Sequence, residues 1–137
     1  PMPGNRFVDT NVLLYLYSED EPDKKAVASG LFGGTDRVWI STQVLSEAAN
    51  VLGRKFGLPH RDIANVIAEA CAACNVHVVT KNTIALALRL GERHGHSFFD
   101  SQIIAAALEC GCDSLLSEDM HDGLLVESRL TIRNPFA

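Results

Sequence analysis

Four acidic side chains are spaced so that a folded chain can gather them: Asp9, Glu47, Asp100 and Asp119. Carboxylates brought close together repel one another and hold their protons more tightly unless a cation compensates. A ligand set made only of oxygen favours Mg2+ or Mn2+ over zinc. Such a centre activates water and stabilises charge on a phosphoryl oxygen, the chemistry of metal-assisted phosphodiester hydrolysis. Asn11 and Ser117 each lie two residues from one of these acids and can orient a ligand or a water from behind it. No single acid carries the reading; their convergence does.

The elements that must bring them together alternate between strand and helix. Arg6-Phe7-Val8-Asp9, bounded by Gly4-Asn5, reads as a short buried strand, and Thr10 or Asn11 is placed to cap a helix over 12–18. Pro22 suits the first turn of a helix over 22–31, which Gly33-Gly34 ends. Val38-Trp39-Ile40 reads as the second strand, with Ser41 or Thr42 capping a long helix to about Phe56, closed by Gly57. Helices follow over 60–73, 82–92 and 98–109, and strands are expected at 76–79, 114–116 and 130–132. This alternation implies βα crossovers, hence a single-domain α/β fold over 1–137, three layers deep, with helices on both faces of a mainly parallel sheet. Sites in such folds form at the carboxyl ends of strands. Asp9 ends the first strand, and Asp119 lies just past the fourth. Glu47 sits a little beyond one turn into the helix after the second strand, and Asp100 in the first turn of its own helix.

Helical spacing sharpens two of these positions. At about 100° per residue, Asp100 shares an arc with Ile103, Ile104, Ala107 and Leu108, where an unpaired carboxylate is costly. Glu47 falls just outside the apolar face of Val44, Leu45, Ala48, Ala49, Val51, Leu52 and Phe56. Each acid also has an ordinary structural reading. Asp9 suits a helix cap, Asp100 the acidic member of a capping box with Ser97, Asp119 a turn, and Glu47 a solvated helix position.

The net charge of −5 argues against a protein that coats nucleic acid by charge alone, but it leaves catalysis on nucleic acid open, because bound cations reverse the local field. Cys71 and Cys74 have CxxC spacing in an Ala-rich helical stretch, and Cys110 and Cys112 flank Gly111 just past a helix end. Buried, reduced thiols are preferred over a zinc site drawn from both pairs. No apolar run reaches the roughly 18–20 residues of a membrane span. The opening Pro1-Met2-Pro3-Gly4-Asn5-Arg6 lacks an apolar stretch of signal-peptide type, so a cytoplasmic protein is expected.

Phe7-Val8-Asp9-Thr10-Asn11-Val12-Leu13 resembles the opening motif of PIN domains, an aspartate ending the first strand and followed by Thr/Ser and Asn. Ser41-Thr42-Gln43-Val44-Leu45-Ser46-Glu47 is similar to the second motif of that family, and the segment from Ser97 to Ala107 to the third. Leu115-Leu116-Ser117-Glu118-Asp119-Met120 is similar to the fourth. Phe99 stands where Trp or Tyr is commoner. The resemblance spans nearly the whole chain, with the motifs in order. It implies a PIN-like fold and a Mg2+- or Mn2+-dependent endoribonuclease whose metal ligands are Asp9, Glu47, Asp100 and Asp119. Asn11 and Ser117 remain the candidates to stand behind them. The compact form resembles VapC-like toxins of toxin–antitoxin pairs, implying an RNA substrate, a cognate antitoxin and a homodimer. Arg54, Lys55 and Arg93 are candidate contacts to backbone phosphate.

Rival readings fit less well. A phosphorylated receiver domain needs adjacent acids early and a lysine near the fifth strand, and a phosphatase with an aspartate nucleophile needs an acid where Asn11 stands. The serious alternative is a non-catalytic PIN-like module that binds RNA or a protein. Retention of all four acids speaks against it.

Overall fold

The computed structural model describes residues 4–34 and 37–137, so Pro1 to Pro3, part of the opening read above against a signal peptide, lie outside the described residues. Strand β1 (Arg6–Val8) leads into helix α1 (Thr10–Leu14), a 3-10 turn (Tyr15–Tyr17) and helix α2 (Pro22–Phe32). Then come β2 (Trp39–Ser41), α3 (Thr42–Arg54), α4 (His60–Ala73), β3 (Asn75–His77), α5 (Lys81–His94), α6 (Phe98–Glu109) and β4 (Ser114–Leu116). A hairpin of β5 (Leu125–Val126) and β6 (Leu130–Arg133) follows.

The strands form one sheet in the order β3-β2-β1-β4-β6-β5, parallel throughout except for β5 against β6. From β1 the chain steps outward to β2 and β3, then crosses back to lay β4 on the other side of β1. That reversal leaves a crevice outside the carboxyl ends of β1 and β4, the place where open α/β sheets bind ligands. Helices flank the sheet: α3 packs with α1 and α4, while α5 packs along α6, which also touches β2 and β4. The expected mainly parallel α/β architecture is therefore the observed one.

Local chemistry explains most element boundaries. Ser41 Oγ accepts from the Val44 amide, and Ser97 Oγ from the Asp100 amide, so both helices start where a hydroxyl can satisfy an orphan N–H. Gly95 ends α5 at φ 79°, a left-handed position that costs a glycine nothing. Other expectations need correction. The cap of α1 is Asp9, in line with its ordinary structural reading and not with the choice of Thr10 or Asn11, because its carboxylate reaches the Thr10 amide at 2.7 Å. Strand β3 covers Asn75–His77, earlier than 76–79, since Val79 turns away to donate its N–H to Thr42 Oγ1. Strand β5 has no sequence signal, because two residues show no alternation.

The apolar arc expected on α6 is not confined to one side. Ser101 through Leu108 are all buried, so the helix is enclosed all round and its small residues let its neighbours approach. Gly91 of α5 permits one such approach, since a Cβ there would stand 3.2 Å from Ser101 Oγ. Among the described residues, no helix is long and apolar enough to cross a membrane. Ile104 is 1% exposed in this core. Ile104→Ala is expected to lower unfolding free energy by about 2–5 kcal/mol in a denaturant titration; a loss below about 1 kcal/mol would show that α6 is not the centre of the core.

Candidate metal centre at the carboxyl end of the sheet

Asp9 leaves β1 directly beside the end of β4: its amide donates to the Leu116 carbonyl at 2.9 Å. Its side chain is 8% exposed. Carboxylate Oδ1 accepts from the Thr10 amide at 2.7 Å and Oδ2 from Ser117 Oγ at 2.8 Å. Burial nevertheless outweighs these bonds and, with the charges of Asp100 and Glu47 adding to it, pushes the Asp9 carboxyl up to about 6. Asp9 therefore feels the charges of two of the other three acids.

Glu47 is half-buried on α3. Its Oε1 accepts from Thr10 Oγ1 at 2.7 Å and its Oε2 from Gln43 Nε2 at 3.3 Å. Gln43 is itself held by Gln102 Nε2, which donates to Gln43 Oε1 at 2.8 Å, and Gln43 Nε2 also donates to the Phe99 carbonyl. This buried amide pair ties α3 to the start of α6, and so Glu47 to Asp100. Ser97 caps α6 through the Asp100 amide, but among the described residues the Ser97 amide makes no reciprocal donation to the Asp100 carboxylate, so the side chain is not spent on a capping box. Asp119, exposed on the loop after β4, accepts from Asn11 Nδ2 at 2.7 Å. Its neighbour Glu118 is tied down by Tyr15 and Lys24, which steadies that loop against the 3-10 turn and α2.

All four acids line one cleft of about 340 Å3, together with Thr10, Asn11, Leu14, Asn50 and Val51. A larger cleft of about 540 Å3 adjoins it through Asn11, Leu14 and Val51, and its wall includes Tyr17, Glu19, Asp20, Glu21, Lys55 and Phe56. The larger space is beside the acids, not over them; the smaller one holds the chemistry. Of the three basic candidates, Lys55 lines the adjoining cleft and Arg54 is exposed, whereas Arg93 pairs with Glu127 elsewhere.

The donor chemistry fits a divalent cation. Every charged group in the cleft's acid cluster offers oxygen, and Asn11 Oδ1 is buried there without a hydrogen-bond partner. Among the described residues no three acidic, histidine or cysteine side chains are already drawn around one point. Glu47 and Asp119 are turned onto Thr10 and Asn11, bonds with which an ion would compete. Asn11 donates to Asp119 and Ser117 to Asp9, each supporting the acid that is distant from it in sequence. From the sequence, Thr10 was a candidate only as a helix cap and motif residue, and Gln43 and Gln102 were not candidates. The available signal was position: Thr10 follows Asp9, Gln43 precedes Glu47 by one helical turn, and Gln102 enters two residues after Asp100.

The sequence matches the family model described as PIN domain over residues 6–121. Its fold is similar to VapC20 of Mycobacterium tuberculosis, a sarcin–ricin loop cleaving toxin, with TM-score 0.68 and 24% identity over 84% of this chain and 92% of that one. It is also similar to VapBC2 of Rickettsia felis bound to a promoter DNA fragment, with TM-score 0.61 and 13% identity over 83% and 87% of the two chains. FitAB bound to a DNA fragment gives TM-score 0.67 and 15% identity over 96% of each. No curated protein sequence matches significantly.

The raised pKa of Asp9 has a consequence for stability. A carboxyl that is more basic folded than unfolded stabilises the fold below its unfolded value near 4, and that contribution is lost as pH rises through about 6. Asparagine caps a helix as well as aspartate and carries no charge. Without metal at pH 7.5, Asp9→Asn is therefore expected to melt on the order of 3–10 °C above the parent, with the gap closing toward pH 4. A lower melting temperature for the variant at pH 7.5 would show that the buried Asp9 charge does not destabilise the fold.

Proposed function

Because this chain belongs to the PIN domain family, we propose that it is a Mg2+- or Mn2+-dependent endoribonuclease hydrolysing RNA phosphodiester bonds, the toxin of a toxin–antitoxin pair. The observation that carries the reading is the enclosed Asp9 carboxylate, kept at the seam of β1 and β4 with Asp100 and Glu47 close enough to raise its pKa. A fold without a use for that charge gains by losing it. RNA as substrate is supported by the likeness to a toxin that cleaves the sarcin–ricin loop. The cognate antitoxin, the homodimer, the cytoplasmic setting and a single domain over 1–137 belong to the same proposal.

Asp9, Glu47, Asp100 and Asp119 would hold the ion. When bound, Mg2+ or Mn2+ supplies neutralisation of the carboxylates and polarisation of the scissile phosphate. The chain's own groups do the positioning. The Thr10 amide and Ser117 hydroxyl fix both oxygens of Asp9, so the carboxylate cannot swing away. The Gln102–Gln43 pair and Thr10 orient Glu47 across the cleft. Asp100 or Asp119 orients the attacking water and takes its proton on a carboxylate oxygen, and the unpartnered Asn11 amide oxygen can accept a second hydrogen bond from that water. Lys55, on the adjoining cleft, is placed to meet a backbone phosphate.

The test is cleavage of structured and single-stranded RNA by the purified protein, with Mg2+ or Mn2+ against EDTA. Asp9→Asn and Asp100→Asn are each expected to cut cleavage by more than about 100-fold with unchanged far-UV circular dichroism, and Asn11→Ala or Ser117→Ala by about 10–100-fold. Cleavage that survives EDTA and Asp9→Asn would refute the assignment. Calorimetry showing no Mg2+ or Mn2+ binding would favour the non-catalytic module instead.

A further inference from the structure

Of the four acids that line the cleft, Asp119 alone is exposed, on the loop between β4 and β5. An exposed carboxylate on a loop needs its neighbours to fix where it stands. On one side, Met120 is 6% exposed in the core, and its amide donates to Ser117 Oγ at 3.4 Å. On the other, Glu118 has both carboxylate oxygens engaged. Its Oε1 accepts from the Tyr15 hydroxyl at 2.5 Å and its Oε2 from Lys24 Nζ at 2.5 Å. Lys24 Nζ also donates to the Tyr15 hydroxyl oxygen at 3.3 Å. It lies 5.1 Å from the centre of the Tyr15 ring and 5.8 Å from that of Phe136, and those two rings meet edge to face. The tail that carries Phe136 is tied to the far end of the same loop, where the Asn134 amide donates to Asp122 Oδ1 at 2.8 Å.

These contacts make a bracket around the residue next to Asp119. The Lys24 and Glu118 side chains are 32% and 22% exposed. An ion pair so accessible adds little to the stability of a whole fold, so its effect is local. What it does hold is the backbone on which Asp119 stands. Groups that orient a carboxylate from behind commonly set the affinity of a metal site.

We propose that Lys24 and Tyr15, acting through Glu118, are positioning residues for Asp119 and set the affinity of the cleft for a divalent cation. The inference rests on the reading of Asp119 as a metal ligand. It carries a sign that separates it from plain electrostatics. Lys24 is a cation bound beside an acidic cleft, so loss of its charge alone leaves the cleft more negative and tightens cation binding. Loss of the bracket lets Asp119 drift and weakens cation binding. The two effects oppose each other in one substitution, and the direction of the change decides between them.

Calorimetric titration of the full chain with Mn2+ is the test. Lys24→Met, which keeps the aliphatic stem, is expected to weaken binding by about tenfold. Lys24→Arg, able to grip Glu118 through two N–H groups, stays within about threefold of the parent. Asp119→Asn weakens binding at least about tenfold, and adding Lys24→Met to it costs no more than about twofold further, because no ligand is left to place. Without metal, amide hydrogen exchange over residues 117–123 quickens about tenfold in Lys24→Met, while the melting temperature stays within about 4 °C of the parent. Binding that is unchanged or tighter in Lys24→Met, a fully additive loss in the double variant, unquickened exchange, or a larger fall in melting temperature overturns the proposal. No Mn2+ binding by the parent, or binding that Asp119→Asn leaves intact, instead defeats the reading of the site itself, and the proposal falls with it.

Discussion

Asp9 is nearly enclosed where β1 meets β4, and the loss of water around its carboxylate outweighs the two hydrogen bonds that it accepts. The rest of the site answers to that imbalance. Parallel pairing of β1 with β4 brings Ser117 onto one carboxylate oxygen, while the turn into α1 brings the Thr10 amide onto the other. Pairing of β1 with β2 sets α3 alongside, so that Thr10 reaches Glu47 with its hydroxyl as well. A single residue thus touches two of the acids. The arrangement holds negative charges near one another in the absence of a cation, a local cost of the kind that folds keep at functional sites.

Helix α6 connects this cost to the core that sustains it. Its middle is buried on every side, and Ile103, Ile104 and the alanines after them fill the space between the sheet and α5. Because the helix cannot shift without disturbing that packing, its two ends are fixed in place. One end presents Asp100 to the cleft and sends Gln102 to Gln43. The other ends in a tight glycine turn at Gly111.

The sequence made much of this legible. Alternation of short β-branched runs with helical stretches gave the fold class, and strong punctuation at Pro59, Ser97, Gly95 and Gly111 placed α4, α5 and α6 well. The four acids and their two supporting side chains were visible because a strand end, a helix start and a turn each restrict where a carboxylate points. Less legible were features that depend on a partner far away in sequence. The amide pair Gln43–Gln102 joins residues 59 apart, and neither has a local signal of burial. Strand β5 exists because β6 is beside it, not because Leu125-Val126 alternates. The arc expected on α6 blurred for a related reason: when neighbours cover a helix all round, no face is distinctive.

By itself, then, the chain determined which residue types could gather, the order of elements that would carry them, and the oxygen-only character of the resulting donors. Those properties are local, written in side-chain chemistry and short-range backbone preference. Only the tertiary structure decided which strands became neighbours, how deeply Asp9 was buried and which side chain answered each carboxylate oxygen. Electrostatic consequences such as the raised pKa of Asp9 depend on distance and on exclusion of water, and both are set by packing between segments that the sequence keeps apart.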